Sequence, residues 1–420
     1  MVGSYLRILK NKNFFLLWLG QVISQFGDRL AQIALIGLVY NRLGISFLGL
    51  AKIMFFTVLP VFLISPVAGV YVDRWDKRNV MMVTDFIRGV LILALGLFFV
   101  HFINFTPVYI AIFFCFCLGR FFIPAKMALV PLLVKEEDLF MANSLVSITA
   151  NIAAILGFGV GGLIVEWWKP KGAFILDGVT FFLSSLLIFF ITKKIAGTFK
   201  PHDLVEIGKD VVKKEQSLFR EFIEGLHYLV SGESAFFSVR SFSVLFSFLG
   251  ALYVVFIGFI QKTLGTGTKD LGFLAVWLTL GLFLGSLAYG RVAHKFSLAK
   301  TINVMLMLSS ALLIAFVSII KRTPSGALAS FFSFVLGFMA SPIVIACNSL
   351  IHKRSSDNLW GRIFSSLEVV AHFAFILFMF ITSILADKLR VPPFVIIIWV
   401  GIVVIIFSLI SLFRKEEPLN

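Results

Sequence analysis

The stretch Gly69-Val70-Tyr71-Val72-Asp73-Arg74-Trp75-Asp76-Lys77-Arg78 decides how this chain must be read. It interrupts two long apolar segments and sets five charges in its last six residues. In hydrocarbon each such charge would cost several kcal/mol, so the stretch has to be a tight turn at a membrane surface, with the flanking apolar runs crossing the bilayer. Composition agrees. Across 420 residues, 59% are apolar and only 14% charged, too little polar surface to cover a water-soluble globule.

About 20 apolar residues span a bilayer as a helix, and windows of that length give about twelve candidates. The first six are Phe14–Tyr40, Phe47–Val72, Val80–His101, Pro107–Val134, Met141–Val165 and Gly172–Thr192. After a polar connector come Ala235–Gln261, Leu271–Val292, Thr301–Ile320, Ser325–Ile351, Ile363–Ala386 and Phe394–Phe413. The first apolar segment is far longer than a signal-peptide core, so no cleavage is expected. With the N-terminus in the cytoplasm, that side collects 22 of the 37 Lys and Arg, counting Arg291 at the inner end of the eighth span, against nine on the other. The positive-inside rule therefore puts both termini in the cytoplasm of a multi-pass inner (plasma) membrane protein. The formal charge of +15 reports this topology, since the bases fall in short blocks between spans instead of forming a nucleic-acid face.

The connector Lys193–Gln216 carries six lysines and separates two six-helix halves. Just past it Leu218, Phe222, Leu226 and Leu229 recur at helical spacing, the pattern of an amphipathic helix at the membrane surface. The expected organisation is a bundle over residues 1–192, a cytoplasmic linker with an amphipathic helix over 193–233, and a second bundle over 234–420. The halves echo one another. Leu118-Gly119-x4-Pro124 returns as Leu336-Gly337-x4-Pro342, and Lys135 matches Lys353 at the same offset of 218. Gly290-Arg291-Val292-Ala293-His294-Lys295 stands where a second copy of the opening stretch belongs. Together they fit parallel repeats with a substrate path between them.

The opening stretch resembles the helix 2–3 loop signature of the major facilitator superfamily, Gly-x-x-x-Asp-Arg/Lys-x-Gly-Arg/Lys-Arg/Lys, with Asp76 in place of the second Gly. Gln21-x-x-Ser24-x-x-Gly27-Asp28, Phe122-x-Pro124-Ala125, Ala142-Asn143-Ser144-Leu145, Phe174-x-x-Asp177-x-x-x-Phe181 and Phe222-x-x-Gly225-Leu226-x-Tyr228-Leu229 are similar to the branch that contains macrolide-efflux and enterobactin-exporter-like permeases. The resemblance implies an all-α integral membrane fold of about twelve helices in two six-helix repeats. It further implies that Gly69, Asp73, Arg74 and Arg78 gate the conformational cycle by clamping helix ends. Gly157-Phe158-Gly159-Val160-Gly161-Gly162 resembles the Gly-Pro-x-x-Gly-Gly element of drug:proton antiporters, with Phe158 where Pro is expected. Gly157, Gly161 and Gly162 also suit plain close helix packing.

Ionisable residues inside the spans are costly and so mark function. Asp28 lies near the middle of the first span, and Arg120 at mid-depth in the fourth is its expected partner. Lys126 reads as a helix-end anchor. Glu368 and His372, four apart and on one face of the eleventh span, form a pair that can hold a proton near neutral pH, or equally a polar contact between helices. Asp177 reads as structural. The chain has no Gly-x-x-x-x-Gly-Lys-Ser/Thr loop for ATP and no His-x-x-x-His pair, so no cofactor, metal or enzymatic activity is expected. Cys115, Cys117 and Cys347 lie inside spans at no disulfide or metal spacing. The reading is a secondary transporter that exports a small amphipathic compound against protons, with substrate, protons and membrane lipid as partners and no nucleic acid. A lysophospholipid-moving permease is the alternative, and a non-transporting membrane sensor or scaffold is the alternative from another class.

Overall fold

The computed structural model describes residues 2–98, 104–192, 236–354 and 360–413. The polar connector and the surface helix expected at Leu218–Leu229 lie outside the described residues. Thirteen helices are described: α1 (Val2–Leu9), α2 (Lys12–Leu43), α3 (Phe47–Leu63), α4 (Ser65–Arg74), α5 (Lys77–Leu97), α6 (Thr106–Leu133), α7 (Leu139–Phe189), α8 (Phe236–Leu264), α9 (Lys269–Val292), α10 (Leu298–Arg322), α11 (Gly326–Arg354), α12 (Trp360–Asp387) and α13 (Pro393–Phe413). Among the described residues, ten helices are long and apolar enough to cross a membrane.

Two chain breaks reconcile these helices with twelve spans. At 51 residues, α7 would measure about 76 Å if straight, more than twice a bilayer core. It is broken at Lys169 (φ 60°, ψ 174°), because Pro170 lacks an N–H and disfavours helical geometry in the residue before it. Exposed Trp167 and Trp168 precede the break, where interfacial aromatics belong. The two limbs of α7 supply the fifth and sixth spans. The second span, expected as one helix over Phe47–Val72, is instead the pair α3 and α4, parted at Ile64 with Pro66 in the first turn of α4.

The described residues fall into two compact units, one drawn from Met1–Leu38 and Ile53–Ser217, the other from Val39–Lys52 and Leu218–Asn420. In the first unit, α5 packs along α6 and α7, around a core that includes Phe14, Leu17, Met81, Leu129 and Ile188. Helix α1 precedes the first apolar span and was not expected. Its Ile8 enters this core, its Arg7 is ion-paired with Asp138, and the following Asn11 caps α2 while its Nδ2 donates to the Leu133 carbonyl at 2.7 Å.

In the second unit, α9 lies along α11, α8 along α12, and α10 against α11 and α13. The turn between α2 and α3 groups with this unit. There Asp387, the last residue of α12, accepts from the backbone N–H groups of Phe47 (3.3 Å) and Leu48 (2.7 Å), capping the start of α3. Each repeat closes its first helix with a left-handed glycine, Gly44 (φ 67°) after α2 and Gly265 (φ 76°) after α8. Each also opens its third helix on an extended residue, Asp76 before α5 and Ser297 before α10, at the same offset as the two glycines.

Candidate functional site

The opening stretch forms the end of α4 and the start of α5. Asp76 is the N-cap of α5: it is extended (φ −65°, ψ 114°) and its side chain accepts from the Asn79 N–H at 2.8 Å. That geometry needs no glycine, which explains why an acid can stand at this place. The Lys77 Nζ donates to the Asp73 carbonyl at 2.7 Å. Arg78 reaches the far end of α7, donating through Nε to the Ile188 carbonyl at 3.2 Å and through its guanidinium to the Phe189 carbonyl. A base thus meets the carbonyls of the last helical turn, where cations are favoured. Asp73 is exposed, and Gly69 has no neighbour within 4 Å of where a Cβ would stand.

Deeper in the first unit a cavity of about 490 Å³ opens between α2, α5, α6 and the first limb of α7. Asp28 stands in its wall. Its Oδ1 accepts from the Arg88 guanidinium at 2.8 Å, an ion-pair partner that the sequence did not single out. Arg88 also approaches Asp85 at 3.5 Å and lies 4.0 Å over the Phe181 ring. Behind Arg88, Asp85 is fully buried and its Oδ2 accepts from the Ser184 Oγ at 2.7 Å. Side-chain exposure falls from 35% at Asp28 to 11% at Arg88 and zero at Asp85, so the chain of charges runs from the cavity into dry protein.

Glycines set this spacing. A Cβ on Gly27 would collide with Thr180 and with Asp177, so only glycine lets α2 approach the second limb of α7 there. Asp177 is fully buried, and Thr180 donates to its Oδ1 at 3.2 Å. On the other face of α2, Gly157 lies against the Arg29 Cβ and the Phe26 carbonyl, and Gly161 against Leu30; Gly162 is buried. Phe158, standing where a proline was anticipated, sits 5.5 Å from the Arg29 guanidinium carbon, and Arg29 donates to Gln32 Oε1 at 3.2 Å.

Arg120 and Lys126 line the same cavity from α6. Lys126 is therefore a wall residue, inside α6 and short of its end at Leu133, and not the helix-end anchor expected. His372 belongs to the second unit, half-buried, with its ring 5.5 Å from that of Phe246. Glu368 is one turn earlier on α12, but its side chain lies outside the described residues. Arg88 and Asp85 are candidates that sequence reasoning passed over. The signal was present: two opposite charges three apart, hence on one face, inside an otherwise apolar span.

Residues 17–257 match the family model described as Major Facilitator Superfamily. The chain is 27% identical over 388 residues to an uncharacterized MFS-type transporter, YkuC, of Bacillus subtilis (strain 168), covering 91% of this chain and 87% of that protein. It is 26% identical over 366 residues to the putative bacilysin exporter BacE of the same strain, covering 86% and 85%. Macrolide efflux protein A of Streptococcus pyogenes is 23% identical over 392 residues, covering 90% of each chain. In structure the chain is similar to a bacterial homologue of the iron transporter ferroportin in an inward-facing state, with a TM-score of 0.72 at 12% identity over 98% of this chain and 99% of that one.

Proposed function

We propose that this chain, which belongs to the Major Facilitator Superfamily, exports a small amphipathic compound by alternating access, in exchange for protons. That it is a multi-pass membrane transporter is common ground with its relatives; export, proton coupling and plasma-membrane residence with both termini in the cytoplasm are the proposal. Two relatives bear exporter or efflux names, which supports the direction. The observation that carries the coupling is the ion pair of Asp28 and Arg88 at a cavity wall, backed by buried Asp85. A proton arriving on Asp28 neutralises it and loosens its hold on Arg88, whose guanidinium keeps its contact with Asp85. Loss of that proton restores the pair. Helices α2 and α5 are thereby tied or untied according to proton occupancy, the kind of two-state element that coupling requires.

Sealed vesicles with an imposed pH gradient test this. Asp28→Asn, which mimics the protonated acid, should keep substrate binding and lose acceleration by the gradient. Full acceleration in that variant would remove Asp28 from the coupling path and pass the role to Glu368 with His372.

The stretch from Gly69 to Arg78 is proposed to gate the cycle, with Arg78 holding the end of α7. One labelling series addresses gating and sidedness together. With Cys115, Cys117 and Cys347 replaced, a cysteine at Gly208 should label only from the cytoplasm and one at Gly172 only from outside. Asp73→Asn should alter the labelling rate of a cysteine at Ser147 in the cavity wall. Reversed sidedness contradicts the orientation, and an unchanged Ser147 rate contradicts the gate.

A further inference from the structure

The cavity of the first unit has a lopsided wall. Four bases line it, Arg29, Arg88, Arg120 and Lys126, against one acid, Asp28, and that acid is held by Arg88. Asp85, the other carboxylate touching Arg88, is fully buried behind the wall and does not line it. Cations in a membrane interior are expensive, and a wall with an excess of them calls for negative charge to enter from elsewhere.

The hydrogen-bond inventory points the same way. Gln21 lines the cavity and is 2% exposed; its Oε1 accepts from Gln25 at 3.3 Å, while its Nε2 has no partner among the described residues. The Arg88 Nε is in the same condition. Both orphaned atoms are N–H donors, and a buried donor without an acceptor is a costly arrangement that a ligand oxygen relieves. Guanidinium forks match the planar, bidentate geometry of carboxylate or phosphate oxygens. Apolar side chains complete the wall, Phe116, Phe122, Ile123 and Val146 among them, and the volume of about 490 Å³ is that of a small-molecule site.

We infer that the cargo is an organic anion: an apolar body carrying a carboxylate or phosphate-type group that enters this cavity and contacts Lys126 and the arginine forks. The inference rests on the transporter reading and narrows it, since a wall of this charge disfavours a cationic amphiphile of the same size.

The test uses two probes with the same ring and opposite charge, 1-naphthylacetate and 1-naphthylmethylammonium, with binding to the purified full-length protein in nanodiscs measured by titration calorimetry at neutral pH. The carboxylate should bind at least about tenfold more tightly than the ammonium. Lys126→Gln should weaken the carboxylate by about tenfold and leave the ammonium unchanged or improved, and Lys126→Arg should restore the carboxylate. Melting temperature shows that each variant is folded. Equal or tighter binding of the ammonium overturns the inference. So does binding of neither probe, or carboxylate affinity unmoved in folded Lys126→Gln. Flux is read separately: a carboxylate that binds with this preference but is not moved by a pH gradient leaves the charge preference standing and removes the export reading.

Discussion

Helix α6 and its counterpart α11 share the pattern Leu-Gly-x4-Pro and use it for different ends. In α6, Gly119 faces the cavity with nothing within 4 Å of a Cβ position, and Arg120 and Lys126 stand in the wall beside it. In α11 the same register places Phe338 and Val344 where those bases would be, and a Cβ on Gly337 would collide with the Leu278 carbonyl oxygen of α9. The third helices differ likewise. Counting from the N-caps Asp76 and Ser297, the Asp85 and Arg88 of α5 correspond to Leu306 and Ser309 of α10. The repeat preserves the helix ends, while intramembrane charge is concentrated in the first unit. Hydrocarbon penalises charge heavily, so a duplicated span can lose its ionisable residues without losing its fold.

The largest contrast is expected from deleting a charged side chain in one unit and the residue at the matching place in the other. Arg88→Met leaves Asp28 and Asp85 without their cation and should cost about 3–5 kcal/mol, read as a large fall in melting temperature. Ser309→Ala, at the matching place, should cost under about 1 kcal/mol. Comparable losses would mean that the second unit depends on its polar groups as much as the first.

Next comes the glycine pair. Gly337→Ala forces a methyl into the α9 backbone and should cost about 1–3 kcal/mol. Gly119→Ala meets open space, so it should be neutral or gain up to about 1 kcal/mol from helix propensity. A destabilised Gly119→Ala would show that this glycine also serves close packing.

The smallest contrast lies at the caps. Asp76→Ala removes the bond to the Asn79 N–H and should cost about 1 kcal/mol. Ser297 makes no side-chain cap hydrogen bond in α10, so Ser297→Ala removes no capping bond and should cost less than Asp76→Ala. Thermal melts of the two variants side by side check this order.

How much of this was legible in advance depended on which physical force wrote the signal. The membrane class, about twelve spans and the duplicated pattern follow from segment length and hydropathy, because a bilayer has a fixed thickness and admits backbone only when it bonds to itself. The break between the fifth and sixth spans showed as Trp167-Trp168-Lys169-Pro170, a local rule about the residue before proline. The division of the second span at Ile64 was harder to see, since Pro60 and Pro66 both fall in one apolar run and Pro60 is absorbed within α3.

Partner choice is where the sequence alone stopped. It marked Asp28 as a costly acid and offered Arg120 as its partner, but nothing local pointed to Arg88. That choice depends on how α2, α5 and α7 pack, and Gly27, Gly89 and Gly178 let them do so closely, with Gly89 and Gly178 meeting across α5 and α7. The same holds for Asp85, whose hydroxyl partner Ser184 is remote in the chain, and for the capping of α3 by Asp387. Hydropathy and proline act along the chain and can be read from it. Ion pairs and cavity walls are set by distances across helices, and only tertiary packing determines those.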